Sequence, residues 1–137
     1  MLSFFVIFVT FLPASVLSCA ATSAVTTPTT TLTCATCANA QVLTRAAAGE
    51  INPTITQTAG TNASGCRTIT VTCANPGGNQ VFFFWEEDGA NRGTSTDGTT
   101  TVTRTLVCDS NGELVLTEPG PPPGNGIVNA VECLAAA

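Results

Sequence analysis

The chain has 137 residues, nine acidic and four basic side chains, a formal charge of −5, no His and seven Cys. Without His there is no imidazole for a serine-hydrolase triad, a Cys–His protease or a His-based zinc site. The basic residues are all Arg, and so few of them make neither the clustered footprint that nucleic acid needs nor a dock for anionic lipid. Only 9% of residues are charged, so solubility has to come from Thr, Ser, Asn and Gly, with sugar as a further candidate source.

Residues 1–20 read as a secretory signal peptide. Phe4 to Leu12 is an apolar run closed by Pro13, and Ser18 and Ala20 offer small residues for cleavage after Ala20. The run is short for a spanning helix, which needs about 20 residues. A lipobox-like reading of Val16-Leu17-Ser18-Cys19, with Cys19 lipidated, and an uncleaved anchor are the rivals. Nothing later is long and apolar enough to span a bilayer, so no membrane span is expected after cleavage. Residues 21–33 form a Thr/Pro-rich flexible segment, either a plain leader or a short O-glycosylated stalk.

Cleavage removes Cys19 and leaves Cys34, Cys37, Cys66, Cys73, Cys108 and Cys133 in a folded unit over 34–134. An even set in a small exported domain reads as a disulfide framework, whose pairing the spacing leaves open. Cys34-Ala35-Thr36-Cys37 invites two other readings. As a zinc half-site it lacks a second pair and any His. As a redox motif it should open a helix after a strand, and here it follows a Thr-rich coil. No metal and no cofactor is expected.

Residues 38–60 carry the weakest pattern: Gln41 to Ala48 suits a short helix or an irregular strand, with Gly49 as a stop. Asn62-Ala63-Ser64 is an N-glycosylation sequon in a loop-like stretch, whereas Asn52-Pro53-Thr54 fails through its Pro. From Arg67 to Cys73 the period is two, with Ile69, Val71 and Cys73 on one face and Thr on the other. Val81 to Trp85 is apolar on both faces, as in a central strand covered on both sides, or in a strand whose second face binds a partner. Glu86-Glu87-Asp88-Gly89 reads as a solvated turn, without the spaced ligands of a calcium loop. Thr101 to Cys108 repeats the alternation, with Val102, Leu106 and Cys108 inward and Arg104 on the same face, either at a solvated rim or paired with an acid. Asn111-Gly112 then signals a hairpin, returning with Leu114 and Leu116 inward. Glu118 to Gly126 is a Pro/Gly loop with a polyproline II tendency at Pro121 to Pro123, and Ile127 to Cys133 reads as a last strand. The expected fold is all-β: a small disulfide-stapled two-layer antiparallel sandwich.

The order Cys34, Cys37, Gly65, Cys66, Ile69, Val71, Cys73, Leu106, Cys108, Asn111, Gly112, Val131, Cys133 resembles the nematode six-cysteine extracellular domain, the C-six domain. The chain departs from it at Leu114, where the family commonly carries an aromatic residue. The resemblance implies an extracellular, disulfide-bonded module of unknown function. Family members that lack the first and third cysteines together imply that Cys34 pairs with Cys66. Topology then favours Cys73 with Cys108, as two inward-facing strand ends, and Cys37 with Cys133, tying the ends of the domain.

Three functions remain in view. The first is a secreted non-catalytic module, structural or binding an extracellular protein or matrix partner. The second is a secreted inhibitor or effector using the loop at Asp88 to Gly98 or at Glu118 to Gly126. The third is a thiol-disulfide oxidoreductase using Cys34 and Cys37. No residue set assembles a catalytic site, which favours the first.

Overall fold

The computed structural model describes residues 33–118 and 125–137. The expected signal peptide, nearly all of the Thr/Pro-rich segment and the Pro121–Pro123 run lie outside them. A 3₁₀ turn, Thr33–Ala35, leads into ten strands: β1 Gln41–Leu43, β2 Glu50–Ile51, β3 Thr54–Thr61, β4 Arg67–Ala74, β5 Val81–Glu87, β6 Ala90–Ser95, β7 Thr101–Cys108, β8 Leu114–Thr117, β9 Asn125–Ile127 and β10 Ala130–Ala136. They form two five-stranded sheets. One runs β1-β10-β5-β6 with β2 also against β10, and the other runs β3-β4-β7-β8-β9. The sandwich is as expected, with one variation: β1 lies parallel to β10, while every other pairing among the described residues is antiparallel.

Alternation in sequence becomes alternation in burial because successive side chains leave a strand on opposite faces. In β4, Ile69, Val71 and Cys73 are fully buried, and β7 and β8 add Val102, Leu106, Cys108, Leu114 and Leu116. Facing them across the core are Val81, Phe83 and Trp85 of β5 with Val131, Cys133 and Ala135 of β10. The apolar run at 81–85 therefore divides between its two readings. Its odd residues make the core, whereas Phe82 is 38% exposed on the outer face and Phe84 beside it is half-buried.

Two hairpins use the same loop. In Asn62-Ala63-Ser64-Gly65-Cys66 the first side-chain oxygen accepts from the amides of the third and fifth residues, both at 3.0 Å. In Asp109-Ser110-Asn111-Gly112-Glu113 the same two bonds measure 2.8 and 2.9 Å. In each, the fourth residue sits at positive φ (+80° at Gly65, +84° at Gly112), where glycine avoids a Cβ clash. This is a three-residue loop closed by a glycine bulge, so Asn111 keeps an ordinary φ and the two-residue Asn-Gly turn does not form. The two-residue turn lies at Asp88-Gly89 instead, both at positive φ between Glu87 and Ala90.

Four sequence expectations change. The two stretches read as loops are partly built in. Asp88 to Gly98 holds β6 on β5, and its Asp97 is held by Arg104. At the ends of Glu118 to Gly126, Glu118 is buried in an ion pair while Asn125 and Gly126 belong to β9. Glu86 is not part of a solvated turn but belongs to β5 and is buried. The segment Ile127 to Cys133 is not one strand: β9 ends at Ile127 on β8, and the chain crosses at Val128–Asn129 to enter the other sheet as β10. The uncertain stretch 38–60 runs into an eight-residue strand, β3 at Thr54–Thr61, which carries too few large side chains to announce itself.

Candidate functional site

The cysteines are the residues for which chemistry is easiest to imagine, and all six of 34–133 are bridged: Cys34–Cys66, Cys37–Cys108 and Cys73–Cys133, with Cα separations of 4.8, 5.8 and 6.1 Å. The two cysteines of the CxxC are not joined to each other. Each is buried, and they fasten the 3₁₀ turn to two places on one sheet, Cys66 before β4 and Cys108 at the end of β7. The expected pairs Cys73–Cys108 and Cys37–Cys133 are corrected. Both Cys73 and Cys108 face inward, but Cys73 stands opposite Val102 in the β4–β7 ladder. Six residues of strand at about 3.4 Å each put Cys108 roughly 20 Å further along, beyond any disulfide's reach. Cys73 instead crosses the core to Cys133, whose neighbour in the register is Phe83, and this bridge ties sheet to sheet.

Two arginines, one on the inner and one on the outer face, are committed to ion pairs. Arg104 resolves to the acid-paired alternative. Its Nε meets Glu118 at 2.6 Å and Ser95 Oγ at 2.8 Å, and its two terminal nitrogens meet Asp97 at 3.0 and 2.9 Å. That cluster closes the sandwich where β7 faces β6. The hydrogen bond from Arg104 holds the Asp97 carboxyl below its ordinary value, and Asp97, ahead of Glu118, raises the guanidinium in turn. On the outer face of the other sheet, Arg45 in the segment between β1 and β2 donates to Glu132 through Nε and Nη2 at 3.1 and 2.8 Å and also contacts Glu86. Its amide donates to Glu132 Oε1 at 2.6 Å. Glu132, then Glu86, raise the Arg45 pKa. This clamp pins the 44–49 segment over two buried carboxylates, and no spacing rule in the sequence announces it.

Three surfaces remain open. The outer face of β3-β4-β7 is a grid of threonines. Thr56, Thr72 and Thr103 stand in one row and Thr58, Thr70 and Thr105 in the next. Hydroxyls meet at 3.3 Å between Thr72 and Thr103 and at 3.4 Å between Thr70 and Thr105. The outer face of β5 and β10 frames a groove of about 360 Å³ between Phe82, Phe84, Leu134 and Gly49. The third is the hairpin of Asn62, where the side-chain oxygen caps the loop and Ala63 and Ser64 are exposed. Among the described residues no group of three or more His, Cys, Asp or Glu is placed to hold a metal ion, and no helix is long and apolar enough to cross a membrane.

Compared with known protein families, residues 10–133 match the C6 domain. The chain belongs to the C6 domain family. Neither curated proteins nor solved structures return a match. Within the C6 domain the three bridges and the two sheets describe an extracellular-type module, and the six cysteines that the sequence singled out are its staples.

Proposed function

We propose that this C6 domain is a secreted, non-catalytic extracellular module that acts by contact, binding an extracellular protein or a matrix partner through its uncharged outer sheet face. The observation that carries this reading is the commitment of reactive groups to scaffolding. The thiols of 34–133 lie in bridges, Arg104 is held by Asp97 and Glu118, and Arg45 spans Glu86 and Glu132. What the β3-β4-β7 face turns outward is hydroxyl and methyl, chemistry suited to contact rather than to turnover. In this reading residues 1–20 are removed on export, the Thr-rich segment before Cys34 is a tether, and Asn62 carries an N-glycan at the hairpin tip.

The test is the intact mass of protein secreted from a eukaryotic host, with thiols alkylated before and after reduction, followed by peptide mapping. The reading expects an N-terminus at Ala21, sugar on Asn62, and no alkylation before reduction. Alkylation of Cys34 and Cys37 without reduction would return the oxidoreductase reading and remove this one.

A further inference from the structure

We propose that β3 is a dimerisation edge, pairing antiparallel with the β3 of a second copy of this chain to make one continuous ten-stranded sheet. Among the described residues β3 ends its sheet, with β4 as its one neighbour. The Asn62 amide bonds the Cys66 carbonyl at 2.9 Å, which sets the phase of the ladder. Thr54, Thr56, Thr58 and Gly60 bond to β4, and Ile55, Gln57, Ala59 and Thr61 turn their N–H and C=O groups outward. Among the described residues nothing bonds to those outward backbone groups; Gln57 reaches Ala40 only through its side chain.

The other edges are blunted in the ways soluble proteins use. β6 carries Arg92 and sits across a register shift at Trp85/Glu86. β1 and β2 are three and two residues long, and β9 has three. β3 has eight residues, a ladder without a shift, and neither a charge nor a proline. A long, regular, neutral edge is a template for strand addition. A second copy suits it because the edge is self-complementary. A two-fold pairing centred on Thr58 sets Ile55 opposite the partner's Thr61 and Gln57 opposite the partner's Ala59, with Thr58 against itself. Each contact is β-branched, small or an amide, and no like charges meet. The pairing would also double the threonine face.

Sedimentation equilibrium on the full oxidised chain, from micromolar to about 1 mM, tests this together with hydrogen exchange of the β3 amides. The expected result is a monomer–dimer equilibrium in which the amides of Ile55, Gln57, Ala59 and Thr61 slow as the dimer fills. Ala59→Pro removes one outward donor per copy and none of the bonds to β4, so it should weaken the dimer about thirtyfold through two lost bonds. Thr58→Lys sets two ammonium groups face to face and should weaken it in a way that salt relieves. Native bridge masses establish that the variants fold, and if a variant fails to fold, the wild-type exchange pattern decides alone. A monomer at every concentration, or a dimer that both variants leave unchanged, would overturn the pairing. So would slow exchange of the four amides in a monomer, which would assign the edge to the chain's own residues before Thr33.

Discussion

Replacing Cys73 and Cys133 together by alanine removes the bridge that joins the two sheets, and its cost can be set against that of the bridge at the hairpin end. The Cys73–Cys133 loop spans 60 residues and the Cys34–Cys66 loop 32. Chain entropy makes these worth about 4.3 and about 3.7 kcal/mol, too close to separate the two. Position separates them. Cys73 and Cys133 are both fully buried, so deleting two core sulfurs leaves a void costing about 1 kcal/mol apiece. Cys66 is only partly buried, at the periphery. Buried Cys34 adds one such void to the other pair, so the expected losses are about 6 kcal/mol for C73A/C133A and about 5 kcal/mol for C34A/C66A. Against a usual domain stability of about 5–15 kcal/mol, both leave a marginal fold, the first the more so. Urea unfolding followed through Trp85, the single tryptophan, reads both. If C34A/C66A proves equally or more damaging, the placement of Cys73–Cys133 as the central staple is refuted.

Three further outcomes follow from the packing. A Cβ at Gly93 would collide with the Trp85 ring opposite it. Gly93→Ala should therefore cost about 1–3 kcal/mol by overpacking, and an unchanged urea midpoint would contradict the contact. Ser64→Ala abolishes the sequon but leaves the Asn62 cap, so it should remove the glycan mass without moving the midpoint. Asn62→Ala should lose both the glycan and about 1 kcal/mol of capping. Acid should destabilise the domain through Asp97, whose pKa the hydrogen bond from Arg104 depresses, and through Asp109, depressed chiefly by the Glu113 amide. Groups depressed in the folded state stabilise it fully above the unfolded value of about 3.9 and lose that contribution as pH falls through the folded value. Urea midpoints should thus hold down to about pH 4 and drop below it, less steeply in Asp97→Asn. A flat profile to pH 3 would remove this account.

The sequence by itself determined which face of each long strand is buried. In Arg67–Cys73 and Thr101–Cys108 the apolar and polar residues alternate, and that alternation is a local consequence of the pleat. It also marked a loop at Asn62–Ser64, a hairpin at Asn111-Gly112 and the six bridging cysteines, whereas the glycine-closed form that both loops share came from the structure. β3 escaped because Ile55 is its single large apolar residue, and it is a strand because β4 offers it a ladder. The break at Val128–Asn129 escaped because one apolar run can serve two sheets in turn, and only the second sheet's position says where it changes. The pairing Cys73–Cys133 depends on how far Cys73 and Cys108 lie apart along a ladder, a register that neither strand encodes alone. Arg45, Glu86 and Glu132 meet across 87 residues of chain for the same reason. Local periodicity decides what a strand buries. Which strands share a core, and which distant groups are brought into contact there, is decided by the packing of two sheets, which no short window of sequence contains.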